Sequence, residues 1–342
     1  MKHLSYGGQV ILCPRPAGAD LMAGMGSYLS GSDHYMNPCR KIRQLGEIIL
    51  ICLGFSIIPF LPRIWILGLS RFLGNMAYRF SRKLREVAMA NLNVAFHSDI
   101  STDEKISIAR DSFKTFALLI LDIFWFGLFT KRRIASYVKF DSSFECFYKL
   151  HPSIVIGAHI GNWEVLGLAV AFRNAPCVSI ATPLENPFAD AMLNRFRCVT
   201  GSEVALKEGA IKTLLRTLNE GGRVALLLDQ NTLPEEGGEF VDFFGLPAPM
   251  SKAVALLHER TAADMVFLFC IADNDGCYKT YAQQIISKSE PDVGSNVITQ
   301  AVASVMEENI SNHPGKWLWM YKRWKFVPKG APKDKYPFYA KK

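Results

Sequence analysis

The sequence predicts an α/β fold with a mostly parallel central sheet flanked by helices, preceded by a separate helical region. Two patterns support this prediction. From about residue 137 onward, short β-branched apolar runs alternate with helical segments, which is typical of parallel strands joined by crossover helices. Before that point the pattern is helical and includes a nearly uncharged stretch over residues 48–69. The 342 residues suffice for one large domain and a smaller helical piece in front of it.

The first 135 residues divide into an extension and a helical region. Residues 1–40 are rich in Gly, Ser and Pro and lack a sustained period, so we expect a poorly ordered extension. Residues 41–135 predict a membrane-associated helical region. The stretch 48–69 suits either a marginal membrane span or an interfacial helix, and Arg40, Lys41 and Arg43 before it favour the bilayer over a buried core helix.

Two more helices complete this region. An amphipathic pattern predicts a helix over residues 80–96, and Ser101 with Glu104 has the spacing of a capping box that opens the next helix. That second helix becomes apolar on every side over residues 116–129. Its apolar part therefore needs cover from protein or lipid.

Residues 136–328 are predicted to form the α/β domain. The expected strands and helices, in chain order, are strand 153–158, helix 163–172, strand 177–181, helix 187–199, strand 203–206, helix 209–219, strand 223–228, helix 251–261, strand 265–271, edge strand 278–286 and helix 296–312. A loop rich in Gly and Pro is expected over residues 230–249. Its part 237–245 suits a lid, a substrate wall or a simple connection.

The net charge of +8 belongs to the carboxyl end of the chain. Residues 313–342 contain eight Lys, one Arg and one Asp, which already gives +8. The last part, residues 329–342, is a basic tail. Several aromatic residues accompany these cations, which favours a membrane interface over nucleic acid or a merely solvated tail: Trp317, Trp319, Tyr321, Trp324, Phe326, Tyr336 and Phe338.

Common motifs of nucleotide enzymes and serine hydrolases are missing from the sequence. There is no G-x-x-x-x-G-K-[ST] loop, no strand-linked G-x-G-x-x-G and no G-x-S-x-G. None of the eight cysteines forms a C-x-x-C pair, and no metal site is predicted.

The most informative stretch is the end of the predicted strand 153–158 and the start of the helix after it. His159 stands at the strand end, where open α/β sheets place their chemistry. If the helix begins near Trp163, Glu164 lies in its first turn and can accept a hydrogen bond from one imidazole nitrogen while the other faces the cleft. This arrangement predicts a base with an orienting partner, against the alternative of a purely structural histidine.

Other residues are expected at the same edge of the sheet. Asp229 and Gln230 follow another apolar strand, so their side chains are predicted to reach the cleft. Arg195 and Arg197 are either solvated surface charges or phosphate ligands. The backbone N–H groups of residues 160 and 161 (Ile160 and Gly161) lie near the helix start and are candidates for stabilising an oxyanion.

The motifs together point to a known family. With His-Ile-Gly-Asn-Trp-Glu at 159–164, Asp-Gln at 229–230, Phe-Phe-Gly at 243–245 and Trp-Leu-Trp at 317–319, the sequence resembles the bacterial lipid A biosynthesis acyltransferases over residues 42–327. The H-x4-[DE] pattern alone would indicate only the wider glycerolipid acyltransferase superfamily.

The resemblance implies a protein at the cytoplasmic face of the inner membrane that moves an acyl chain from acyl carrier protein to a hydroxyl of a lipid A precursor. It assigns catalytic roles to His159 and Glu164. Substrate-binding roles are expected for six residues: Asn162, Arg195, Arg197, Asp229, Gln230 and Arg323. Met-Tyr-Lys-Arg at 320–323 departs from the His-Arg-Arg of many members, which affects the acceptor contact expected of Arg323.

The expected mechanism uses neutral His159, oriented by Glu164, to take the proton of the acceptor hydroxyl as its oxygen attacks the thioester. No cofactor or metal is expected, since the thioester of acyl carrier protein is the donor substrate. The expected partners are acyl carrier protein, an anionic glycolipid acceptor and the membrane, with no nucleic acid. Two alternatives stay open: transfer to another phospholipid or glycolipid, and a non-catalytic membrane-binding module.

Overall fold

The computed structural model describes residues 10–11, 38–206, 209–286 and 294–341. Most of the expected extension 1–40 lies outside these residues. Its described part comprises the short strand β1 (Val10–Ile11) and the start of the first helix.

Five helices form the region before the α/β domain: α1 (Pro38–Ile57), α2 (Arg63–Phe80), α3 (Arg82–Phe96), α4 (Thr102–Gly127) and α5 (Thr130–Tyr137). The apolar stretch 48–69 is not one helix, because Pro59 sits in a single 3-10 turn and Pro62 precedes α2. The expected capping box is confirmed, since Ser101 and Glu104 each accept a hydrogen bond from the other's backbone N–H.

The amino-terminal helices leave many apolar side chains in solvent. Within the described residues, one helical segment, Ile42–Phe60, is long and apolar enough to cross a membrane, and 11% of it is buried. The exposed apolar side chains of α1 and α2 include Ile42, Leu50, Leu53, Ile57, Ile64, Trp65, Phe72 and Phe80. Monomeric soluble proteins rarely expose so much apolar surface.

The predicted α/β class is confirmed by an eight-stranded sheet of order β1-β5-β4-β6-β3-β9-β10-β2. The remaining strands of this sheet are β2 (Val138–Phe140), β3 (Ser153–Gly157), β4 (Val178–Ala181), β5 (Glu203–Leu206), β6 (Arg223–Leu227), β9 (Asp264–Ala272) and β10 (Tyr278–Ile286). The five central strands from β5 to β9 are parallel. Antiparallel pairs join β1 to β5 and β9 to β10.

Helices cover both faces of this sheet: α6 (Phe144–Lys149), α7 (Trp163–Phe172), α8 (Pro187–Cys198), α9 (Ala210–Asn219), α10 (Ala253–Thr261) and α11 (Ser295–Asn312). Alternate residues of β3 enter different buried clusters, with Ile154 and Ile156 in one and Val155 in the other. This alternation is what a strand between two helical layers requires.

The prediction of a loop over residues 230–249 is wrong for the second half of that range. There, β7 (Gly238–Phe243) and β8 (Leu246–Ser251) form an antiparallel hairpin outside the main sheet. Phe244 and Gly245 make its turn with positive φ angles of 55° and 73°. The prolines of β8 are typical of a loop. In a two-stranded hairpin, however, both strands are edge strands, and edge strands tolerate proline.

Three tryptophans of the carboxyl-terminal segment pack into the interior of the protein. Trp317, Trp319 and Trp324 are at most 1% exposed, which corrects their expected place at a lipid interface. Asn91 of α3 donates to the carbonyl oxygens of Trp319 and Tyr321 at 2.7 and 2.6 Å. The indole N–H groups find acceptors inside the fold, and for this reason burial is favourable.

Candidate active site

The site is built at the turn between β3 and α7. Gly161 has φ of +64°, and a Cβ atom there would come within 1.8 Å of the Cys270 carbonyl oxygen, so only glycine fits. The N-cap residue of α7 is Asn162, whose Oδ1 accepts the Val165 N–H at 3.0 Å. His159 therefore stays in the turn, at the carboxyl edge of the parallel strands.

Asp229 is the hydrogen-bond partner of His159. The imidazole Nδ1 lies 2.8 Å from Asp229 Oδ1, and the His159 backbone N–H donates to Oδ2 at 2.9 Å. Trp317 Nε1 donates to the same Oδ2 at 2.7 Å. Because a carboxylate only accepts, Nδ1 carries the proton, and Nε2 of the neutral imidazole is an acceptor that faces the Gln230 amide nitrogen at 3.3 Å.

Strand register explains this pairing. Gly157 of β3 lies beside Leu227 of β6, so the residues two positions further on, His159 and Asp229, also lie side by side. The expected hydrogen bond from His159 to Glu164 is thus corrected to one with Asp229. Likewise, Asp229 is 2% exposed, and its carboxylate is directed at His159 and Trp317 instead of making the expected contact with a substrate.

The pair is electrostatically coupled. Burial by itself lowers the pKa of His159, but the charge and the hydrogen bond of Asp229 outweigh it, and the pKa lies above the ordinary 6.5. Burial raises the pKa of Asp229, yet its interactions with His159 and Trp317 leave it below the ordinary value. Asp229 is therefore ionised at neutral pH and favours the protonated imidazole.

Glu164 forms an ion pair with Arg197. The guanidinium is held bidentately, with Nη2 at 2.6 Å from Oε1 and Nε at 2.9 Å from Oε2. Arg195 is exposed, whereas Arg197 is partly buried and reaches Glu164 in the first turn of α7. Arg195 and Arg197 are two positions apart on a helix, so their side chains point in nearly opposite directions. For this reason only one of them enters the site.

A mostly apolar cavity of about 140 Å³ adjoins the turn. Its lining follows α7 from Trp163 to Val170, roughly 10 Å of helix at 1.5 Å per residue. Glu164 and Arg197 are its charged members. The sheet contributes small side chains to the floor, among them Gly157, Ser179 and Ala225. A space of this shape and polarity suits an alkyl chain.

Two other expected contacts are corrected by burial or by competing hydrogen bonds. Asn162 is 2% exposed, and its amide donates to Tyr278 Oη at 2.9 Å and Asp122 Oδ2 at 3.3 Å. Gly161 N–H donates to the Lys316 carbonyl at 2.9 Å, so it is not available to an oxyanion. Within the described residues, the Ile160 N–H has no hydrogen-bond partner and keeps its candidacy.

Arg323 is fully buried, which excludes the expected direct contact with an acceptor headgroup. Its Nη1 donates to Asn231 Oδ1 at 2.9 Å and to the Pro249 carbonyl at 2.7 Å. Burial lowers the pKa of Arg323 to about 10, so the group remains charged at neutral pH. Gln230 does reach the site, because its Nε2 lies 3.3 Å from His159 Nε2.

Sequence reasoning missed Trp317 as a partner of Asp229 and the role of Asp122 beneath the turn. One signal pointed to Asp122: it is the single charged residue between positions 116 and 129. A charge in such an apolar run needs a buried partner. In the part of the chain that the structure describes, no three His, Cys, Asp or Glu side chains are grouped to hold a metal ion.

The chain is similar to several characterised acyltransferases. It is 28% identical over 170 residues to a phosphatidylinositol mannoside acyltransferase of Mycobacterium tuberculosis, covering 48% of this chain and 52% of that protein. The chain thus spans about half the length of this mycobacterial relative. It is 22% identical to lipid A biosynthesis acyltransferase 2 of Shigella flexneri over 272 residues, which are 78% of this chain and 85% of that protein.

A third relative is the lipid A biosynthesis lauroyltransferase of Escherichia coli, 23% identical over 278 residues, or 79% of this chain and 88% of that protein. The family model for bacterial lipid A biosynthesis acyltransferases matches residues 37–326, which include the helical region, the turn between β3 and α7 and the buried tryptophans. The chain therefore belongs to the bacterial lipid A biosynthesis acyltransferase family.

Proposed function

We propose that this protein is an O-acyltransferase that moves a fatty acyl chain from the thioester of acyl carrier protein to a hydroxyl of a lipid A precursor. The observation that carries the proposal is His159, whose Nδ1 is held by Asp229 while Nε2 faces the exposed amide of Gln230, beside an apolar cavity. Family membership supports the reaction class. Within the family, the named relatives act on different lipids, so the acceptor needs its own test.

In the proposed reaction, His159 Nε2 takes the proton of the acceptor hydroxyl as that oxygen attacks the thioester carbonyl carbon. The bond from carbon to sulfur then breaks, and the imidazolium returns the proton to the departing thiolate. Asp229 keeps the proton on Nδ1 and stabilises the imidazolium, which is the usual division of roles between a base and its orienting partner. The acceptor hydroxyl would replace Gln230 at Nε2, where the amide nitrogen is 3.3 Å away.

The cavity along α7 is the proposed place of the acyl chain. The cavity runs beside α7, and its mostly apolar lining offers few polar groups to compete with alkyl contacts. Glu164 holds Arg197 in the cavity wall, and the negative charge of Glu164 also favours the imidazolium form of His159. The catalytic role expected for Glu164 is thus proposed to be electrostatic.

A mannosylated phosphoinositide is the second candidate acceptor. The similarity that favours it is the 28% identity to the mycobacterial mannoside acyltransferase over about half of each chain.

Purified protein in detergent, supplied with acyl carrier protein loaded with one fatty acid, should be given a lipid A precursor with free 3-hydroxyacyl groups or the mannosylated lipid. Mass spectrometry should find one added acyl chain on the lipid A precursor. Addition only to the mannosylated lipid would replace the first acceptor by the second, and addition to neither would refute both.

We further propose that the protein sits at the cytoplasmic face of the inner membrane through α1, since acyl carrier protein is a cytoplasmic donor. Wild-type protein should stay in the membrane pellet after a carbonate wash. Leu50→Arg with Leu53→Arg should shift it to the soluble fraction, because each arginine in the bilayer centre costs about 3 kcal/mol. Leu50 and Leu53 are 69% and 50% exposed, so the substitution leaves the core intact.

Leu184→Arg with Val297→Arg is the matched control for this experiment. These side chains are 45% and 51% exposed but belong to neither α1 nor α2. The control should remain in the pellet. If both double variants stay there equally, α1 is not the attachment site.

A further inference from the structure

A buried polar cluster connects the amino-terminal helices to residues 159–162, the catalytic turn. Its members are Arg63 at the start of α2, Asp122 in α4, Tyr278 at the start of β10 and Asn162 at the cap of α7. All four are at most 6% exposed. Buried polar groups require partners, and each of these residues finds them mainly within the cluster.

The hydrogen bonds form an unbroken chain. Arg63 pairs with Asp122 through both guanidinium amino groups, with Nη2 at 3.2 Å from Oδ2. Tyr278 Oη donates to Asp122 Oδ2 at 2.5 Å and accepts from Asn162 Nδ2 at 2.9 Å. Asn162 then uses its other side-chain atom, Oδ1, for the α7 cap.

Two further side chains, together with Arg63, hold the segment that follows α1. Trp125 Nε1 donates to the Leu61 carbonyl at 3.0 Å, and Arg133 donates to the Pro59 carbonyl. Arg63 follows directly and also binds the Gly276 carbonyl, at 2.9 Å from Nη2 and 3.1 Å from Nε. The segment where α1 ends is therefore bonded, through two or three side chains, to the residue that caps the catalytic helix.

We infer that Arg63, Asp122 and Tyr278 are positioning residues that act through Asn162 to hold His159 in its catalytic orientation and tie that orientation to the end of the membrane helix. None of the three lines the cavity beside α7. Loosening Asn162 lets the turn 159–162 relax, which lengthens the contact between His159 and Asp229. The effect on turnover rests on the proposed acyl transfer, whereas the effect on the imidazole does not.

Tyr278→Phe tests this inference, since it removes one hydroxyl and keeps the ring. We expect kcat to fall about tenfold with KM changed less than twofold, as one hydrogen bond in a buried network sets the geometry of the reacting group. Tyr336→Phe is the matched control. Its hydroxyl donates to the Pro247 carbonyl at 3.1 Å, and the residue is 7% exposed and outside the buried polar cluster. It should lower Tm by a similar amount and leave kcat unchanged.

A double-mutant cycle separates positioning through Asn162 from general destabilisation. Asn162→Ser keeps an oxygen that can cap α7 but lacks the amide N–H groups. In that background, Tyr278→Phe should lower kcat less than twofold further. A full additional tenfold loss, or a Tyr278→Phe variant that behaves like Tyr336→Phe, would overturn the inference. Should Tyr278→Phe not fold, Asn162→Ser alone should show the same kcat loss.

Modification of His159 by diethylpyrocarbonate, followed by peptide mass spectrometry across pH, gives a readout without acyl transfer. In Tyr278→Phe the midpoint of His159 protection should move to lower pH, because a weakened contact with Asp229 lowers the imidazole pKa. The midpoint should not move in Tyr336→Phe. A shift in a protein that transfers no acyl chain would refute the proposed function and support the positioning. An unmoved midpoint in an active enzyme would refute the positioning alone.

Discussion

Replacing His159 with alanine is expected to lower kcat for acyl transfer by about a thousandfold or more, while Tm changes little. General base catalysis contributes about 10²- to 10⁴-fold, and His159 Nε2 is the atom proposed to take the proton of the acceptor hydroxyl. The side chain is 14% exposed and lies at the edge of the sheet, so we expect the variant to remain folded. Acyl transfer to the lipid A precursor, followed by mass spectrometry, measures the effect.

Thermal unfolding of the same preparations is the control for folding. Arg195→Ala serves as a matched variant, since Arg195 lies on the exposed side of α8 and outside the cavity lining. It should keep activity within about twofold of wild type, as surface substitutions usually do little. A folded His159→Ala protein with near wild-type kcat would exclude His159 as the base.

Substituting asparagine for Asp229 is expected to cost about 10³- to 10⁴-fold in kcat, within the range for loss of a general base. The reason is geometric. Oδ2 accepts two N–H donors, from the His159 backbone and from Trp317. In Asp229→Asn the amide oxygen must take that place, so the NH₂ group faces Nδ1. The imidazole is then forced to carry its proton on Nε2, where it cannot accept one.

The pH profile adds a second expected result for Asp229→Asn. In wild type, Asp229 raises the pKa of His159 above 6.5, so activity should fall as pH decreases through that raised value and the base becomes protonated. Without the carboxylate, burial lowers the pKa. The acid limb of the residual activity should move to lower pH, which a profile of kcat between pH 5 and 9 measures.

Glu164→Gln makes the same change of carboxylate to amide on the other side of the imidazole. Glu164 has no hydrogen bond to His159 and acts on it only through space, so we expect a smaller loss, about tenfold, and a smaller shift of the acid limb. If Glu164→Gln instead matched or exceeded Asp229→Asn in both readouts, Glu164 would be the orienting partner that the H-x4-E spacing predicts.

Much of the fold could be read from local patterns. Helix 163–172 and strands 203–206 and 278–286 agree with the structure at both ends, and the other predicted helices and strands of the α/β domain differ by a few residues. These elements have strong periodicity or clear stop signals, such as Gly221 and Gly222 after α9. The hairpin β7–β8 escaped prediction because its prolines and glycines are equally typical of a loop.

The sequence was sufficient to predict at which edge of the sheet the candidate site lies. The carboxyl ends of parallel strands meet at one edge, and His159 and Asp229 each follow such a strand. The sequence alone therefore predicted that a histidine, a glutamate and an aspartate gather at one edge of the sheet, and it left open whether an arginine joins them. Local spacing also determined that Glu164 begins a helix, and so favoured it as the partner of His159.

Only the tertiary structure decided which of these side chains touch. The register of β3 against β6 sets His159 beside Asp229, and the packing of α8 brings Arg197 to Glu164. Trp317, which composition suggested for a lipid surface, donates a hydrogen bond to Asp229 instead. Register and helix packing depend on contacts between residues far apart in the chain, and a short motif such as H-x4-E contains no information about them.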